Sequence, residues 1–152
     1  MIVDLLRRSP LFANLTEEHL AAIAQICQTQ TYQPGTYIFK EGDPGNRLFI
    51  IAEGEVRISR QIPIAGEEAL AILKPGAVFG EMSVFDRSER STDAIVNAPL
   101  TLVSIGRAEL ELLLEFNPDL GFALLKAVVK QLSGRLRSAN DQVRSILAMS
   151  MF

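Results

Sequence analysis

Between Pro34 and Gly76 the chain is broken by turn signals about every 10 residues. They are Pro34-Gly35, Gly42-Asp43-Pro44-Gly45-Asn46, Glu53-Gly54, Ala65-Gly66 and Pro75-Gly76. Breaks at that spacing leave no room for helices of ordinary length, whereas short strands fit between them. The intervening segments Tyr37–Phe39, Leu48–Ile51, Val56–Ile58 and Ala69–Leu73 are rich in aliphatic and aromatic residues, as is Leu100–Ile105 further on. Val56 and Ile58 alternate with Arg57 and Ser59, the pattern of a half-buried strand. Residues 31–105 are therefore expected to form an antiparallel sandwich or barrel.

Helical patterns flank this zone. In residues 1–30, Thr16 is placed to cap a helix whose first turn holds Glu17 and Glu18. Leu20, Ile23, Ala24 and Cys27 follow at helical spacing, which predicts Cys27 as a small hydrophobe facing the core. In residues 106–152, Arg107 to Glu115 reads as one helix, stopped by Asn117-Pro118. From Asp119 to about Met149 there is no proline and only Gly121 and Gly134, which predicts one long helix. Its residues Val129, Leu132, Leu136, Ala139, Val143 and Ile146 step by three and four. That seam suits a two-stranded coiled coil, or packing on the chain's own sheet. It runs further than one domain could cover, which favours a homodimer through the C-terminal helix.

The 152 residues amount to one domain, α+β but mainly β, with enough apolar content (48%) to build a core. A net charge of −3 lacks the basic excess of a free-standing nucleic-acid binder. No apolar run approaches a membrane span, and Met1–Arg8 does not have the layout of a secretory leader. The single cysteine, Cys27, excludes an internal disulfide and a clustered thiolate metal site. A cytoplasmic protein is the expectation.

Chemistry concentrates in the segment from Gly80 to Val96. A carboxylate, Glu81, follows a glycine, and a guanidinium, Arg90, comes nine residues later. The pair suits a small ligand carrying a hydroxyl and a phosphate: Glu81 can accept from a sugar hydroxyl while Arg90 clamps the anion. A surface ion pair, worth roughly 0–1 kcal/mol, is the plain alternative. The flanks argue against it. Val78-Phe79 ends a strand, Met82, Val84 and Phe85 make the following turn apolar, and Ala94-Ile95-Val96 starts another strand.

Phe79-Gly80-Glu81, a short apolar helix, a loop and then Arg90-Ser91-Thr92 resemble the phosphate-binding cassette of the cyclic nucleotide-binding domains. The resemblance extends from about Leu6 to Val143. It implies an eight-stranded β-roll of jelly-roll type, with an N-terminal helix, a cassette at 79–92 and a long C-terminal helix. It also implies a 3′,5′-cyclic nucleotide as ligand and no catalytic residue, metal or resident cofactor. Arg90 would take the phosphate, helped by the Ser91 hydroxyl and by N–H groups near Ser83, Ser91 and Thr92. Glu81 would hold the ribose 2′-hydroxyl, with Gly80 permitting close approach. Val78, Phe79 and Met82, with Ile72 or Leu73, would wall the pocket. Asn140 on the long helix is expected to meet the base.

Many cGMP-preferring members carry threonine directly after the cassette arginine; here Ser91 stands there and Thr92 follows, which favours cAMP over cGMP. Transcription factors of the family continue into a helix-turn-helix, whereas this chain ends at Phe152, so it is not expected to bind DNA itself. The implied function is a non-enzymatic sensor that passes ligand binding through the C-terminal helix to a downstream protein. Two alternatives remain open: a dimerisation module with a vestigial pocket, and the sensor half of a longer regulator. Iron–sulfur sensing lacks the cysteines, and haem sensing would rest on His19 alone.

Overall fold

Strands β3 (Arg47–Ile62) and β6 (Asp93–Gly106) form the spine of the fold, pairing antiparallel along nearly their whole length. Strand β1 (Cys27–Tyr32) lies outside β6 and β4 (Gly66–Leu73) outside β3, giving the order β1-β6-β3-β4. Two short strands complete the sheet: β2 (Tyr37–Phe39) on β6, and β5 (Val78–Phe79) on β3. The chain begins with α1 (Ile2–Arg8) and α2 (Glu17–Ile26). The short helix α3 (Glu81–Asp86) sits between β5 and β6, and α4 (Arg107–Phe116) and α5 (Pro118–Ser150) follow β6. These elements come from a computed structural model that describes residues 1–151.

Over Leu48–Ile51 and Leu102–Ile105 both faces of the spine are buried, which is why those segments read as nearly continuous apolar runs. Side chains alternate along a strand. Leu48 and Ile50, with Val103 and Ile105, face a core shared with Leu5, Leu6, Leu20, Ile23, Leu110, Leu120 and Leu124 from the helices and Phe12 from the α1–α2 turn. Phe49, Ile51, Val56, Leu100 and Leu102 point the other way, into a roll interior shared with Phe39 and Phe79. Each fully buried Leu or Ile contributes about 1.5–3 kcal/mol.

The expected β-roll is present, but with six strands rather than eight. Glu53-Gly54 is not a turn. The β3–β6 register slips between Ile51 and Val56, opposite Ala98 to Thr101, and each long strand bends through this corner without ending. Gly54 makes the bend possible with φ +93°, and Pro99 has no N–H to lose from the ladder. The other turn signals do separate elements, with Gly35, Gly42, Gly66 and Gly76 all at positive φ.

Thr16 caps α2 as expected, its hydroxyl accepting from the His19 N–H at 3.1 Å. Cys27 is not on that helix. It opens β1 opposite Ile105, half-buried, and its thiol donates to the Ile23 carbonyl at 3.3 Å. Burial pushes its pKa up to about 12. Residues 2–8, within the N-terminal part expected to be helical, form α1 and bury Leu5 and Leu6. In α5 the residues buried against the body are Leu120, Gly121, Leu124 and Val128. Leu132 still packs against the core and Arg135 still reaches Glu81, and beyond Arg135 the helix runs on exposed for about 15 residues, roughly 22 Å. Among the described residues no helix is long and apolar enough to cross a membrane.

The corner glycine gives the first prediction. A Cβ at position 54 would lie 2.2 Å from the Pro99 carbonyl oxygen, on a backbone that L-residues rarely adopt. Gly54→Ala should destabilise the fold by roughly 2–4 kcal/mol, from left-handed strain plus overpacking. Urea unfolding should show a lower midpoint with an unchanged slope.

Candidate functional site

Gly80 ends β5 and starts α3 because it takes φ +73°, where a side chain would be strained. It also lies against the Arg90 guanidinium, with room for no more than a hydrogen: a Cβ there would be 2.7 Å from Arg90 Nη1. The α3 helix buries Glu81, Ser83 and Val84 and ends at Arg87, also left-handed. The polar loop after it returns the chain to β6 and brings Arg90 beneath the helix.

Arg90 is only 6% exposed, and Glu81 only 4%. The Arg90 Nη1 and Nη2 groups donate to main-chain carbonyls, those of Gly80 and Arg47, each at 2.7 Å. Its Nε is buried without a partner. The guanidinium lies over the Phe39 ring, 4.2 Å from the centroid, and 5.8 Å from that of Phe49. Burial lowers its pKa from the ordinary value and the nearby Arg107 charge adds to this, while Asp43 and Glu81 oppose it. It remains a cation, as arginine does in proteins.

These two groups border a cavity of about 260 Å³. Val78, Phe79, Gly80, Glu81, Met82, Ser83, Arg90, Ser91 and Thr92 all line it, so nine of the ten expected ligand residues converge. Phe39, Ile58 and Leu73 extend the apolar wall; Ile72 lies outside it, on an exposed strand face. Asn140 is the exception. It is exposed on α5 and does not line the cavity of its own chain. The reason is helical geometry: Arg135 lines the cavity, and five residues further on the helix has turned by about 140°. A larger groove of about 770 Å³ follows α5 beside Pro10 and Asn14, but none of its polar side chains is buried.

Two residues at the site escaped the sequence reading. Arg135 reaches from α5 and donates to Glu81 Oε1 at 2.8 Å. Arg107, the first residue of α4, donates to the carbonyls of Ser83 at 2.7 Å, Val84 at 3.2 Å and Gly45. Arg107 carried a signal: a cation in the first turn of a helix opposes the helix dipole, so its place needs another reason. Arg135 carried no comparable local signal.

The profile of the family described as "Cyclic nucleotide-binding domain" matches residues 29–117. The "CRP-like cAMP-activated global transcriptional regulator" of Mycobacterium tuberculosis is 31% identical over 95% of this chain and 62% of its own length. A solved N-terminal domain of a Streptomyces coelicolor transcriptional regulator is 37% identical, covering 92% of this chain and 95% of that one, with a TM-score of 0.80. The regulatory domain of Toxoplasma gondii PKA, crystallised with cAMP, is 27% identical over 74% of this chain and 42% of that one, with a TM-score of 0.69. The chain thus spans less than two thirds of that curated regulator. With the β-roll, the cassette and the family profile in agreement, the chain belongs to the cyclic nucleotide-binding domain family.

Proposed function

We propose that this chain binds a 3′,5′-cyclic nucleotide, cAMP ahead of cGMP, and does no chemistry on it. The buried Arg90 guanidinium, which bonds no carboxylate among the described residues and leaves its Nε unpartnered, carries this reading. A buried cation without an anion is costly, and a phosphate is the ligand group whose geometry matches the guanidinium fork. Glu81 would accept from the ribose 2′-hydroxyl, sharing the carboxylate with Arg135 or displacing it. Ser91 and Thr92 would complete the phosphate site, and the apolar wall would hold the base.

The proposed relay runs through Arg135, because α5 touches the binding carboxylate directly. Phe122, Leu125, Val129, Leu136, Val143 and Ile146 are each more than half exposed. Adding Leu132 and Ala139 gives alternating steps of three and four from Phe122 to Ile146, one heptad more than sequence patterning marked. We infer that a second copy covers this seam. In a parallel pair Arg135 and Asn140 take flanking positions that face each other across the two helices. That arrangement would bring Asn140 of one copy towards the other copy's cavity. A downstream protein would receive the signal.

Three outcomes follow. Arg90→Ala should weaken cyclic nucleotide binding by roughly 10²- to 10³-fold, the effect of an unpaired buried phosphate. Calorimetry returning wild-type affinity would reject the assignment. In a thermal-shift panel, cAMP at about 100 times its dissociation constant should stabilise the fold by ~2.7 kcal/mol, or roughly 5–10 °C. The shift should be smaller for cGMP at equal concentration and absent for linear 5′-AMP. Leu136→Asp places a charge mid-seam, so light scattering should report about 16.7 kDa for the variant and twice that for the wild-type chain.

A further inference from the structure

We propose that Asp93 is a positioning residue for the anion-binding guanidinium, acting through the loop between β2 and β3. The inference rests on the reading of Arg90 as the phosphate ligand. Asp93 is the first residue of β6, 6% exposed, and its Oδ1 accepts from the Glu41 N–H at 2.8 Å. A carboxylate is not buried without cost, and this one sits on a strand position that an apolar residue could fill.

What it holds is the loop that fixes Arg90. The Gly42 N–H donates to the Arg90 carbonyl and the Arg90 N–H to the Asp43 carbonyl, both at 2.8 Å. Pro44 bridges Glu89 beside them. At Gly45 the loop passes so close that a Cβ would lie 2.4 Å from Ser83 Cβ and 2.7 Å from the Arg90 guanidinium carbon. The loop ends at Arg47, whose carbonyl is one of the two acceptors of Arg90. Both the peptide and the guanidinium of Arg90 therefore take their places from residues 40–47. Asp93 ties the start of that loop to the strand that Arg90 leads into, so the two cannot slide apart.

The test compares Asp93→Ala and Asp93→Asn by calorimetry with cAMP, alongside melting of the ligand-free proteins. Asp93→Ala should weaken binding about tenfold, the effect of losing one hydrogen bond to a charged acceptor. Asp93→Asn keeps an oxygen facing Glu41 and should stay within about threefold of wild type. A lower melting temperature with unchanged affinity would mark Asp93 as structural only and overturn the proposal. If Asp93→Ala does not fold, Asp93→Ser, polar but too short to reach, decides on the same terms: weaker binding supports the role and wild-type affinity overturns it. A wild-type chain with no cAMP affinity would overturn the reading of Arg90, and this proposal with it. Tight wild-type binding that survives Asp93→Ala would overturn this proposal alone.

Discussion

A guanidinium held away from water and bonded to no carboxylate among the described residues puts demands on everything around it. Arg90 meets them with two main-chain carbonyls, those of Gly80 and Arg47, and with the faces of Phe39 and Phe49. Carbonyl dipoles and ring faces soften the desolvation of a cation but do not neutralise it. The charge stays available, in a place where few water molecules compete for it. Much of the surrounding architecture serves this placement: the bare glycines at 45 and 80, the left-handed start of α3 and the loop stitched to the Arg90 peptide.

The same helix that carries Glu81 is held by both C-terminal helices, but with unequal grip. Arg107 is half-buried and bonds three carbonyls, two of them inside α3, so α4 is fastened to the cassette at three points. Arg135 makes one bond from a side chain that is 52% exposed, a contact of the kind that contributes about 1 kcal/mol or less. Any rearrangement at Glu81 would be felt first where the grip is weaker, on α5. That asymmetry suits a helix whose far half has no support from its own body.

Local chemistry was the legible part of the sequence. The turn rhythm marked a β-rich middle because Gly and Pro act on their own few residues, and the cassette could be read because its parts lie within 17 consecutive positions. Seven cavity residues came from that one stretch, and Val78 and Phe79 directly precede it. Glu53-Gly54 misled because a glycine at positive φ serves a hairpin turn and a strand corner equally well. Cys27 packs against the core as its spacing predicted, but from β1, because helical spacing persists one residue past the point where β6 captures the chain as a strand. Arg135 and Asp93 lay out of reach for another reason: their partners are 54 and 52 residues away, and no local pattern encodes those distances, while the misplaced charge of Arg107 marked the residue but not its partners.

The thiol of Cys27 has a practical consequence. Burial holds its pKa well above the ordinary thiol value, so little reactive thiolate is present at neutral pH and maleimide-type reagents should attack it slowly. A cysteine introduced on the projecting half of α5 would then be the one site that takes up a spin label or fluorophore. The chain comes equipped for direct observation of its longest helix without first removing a native residue.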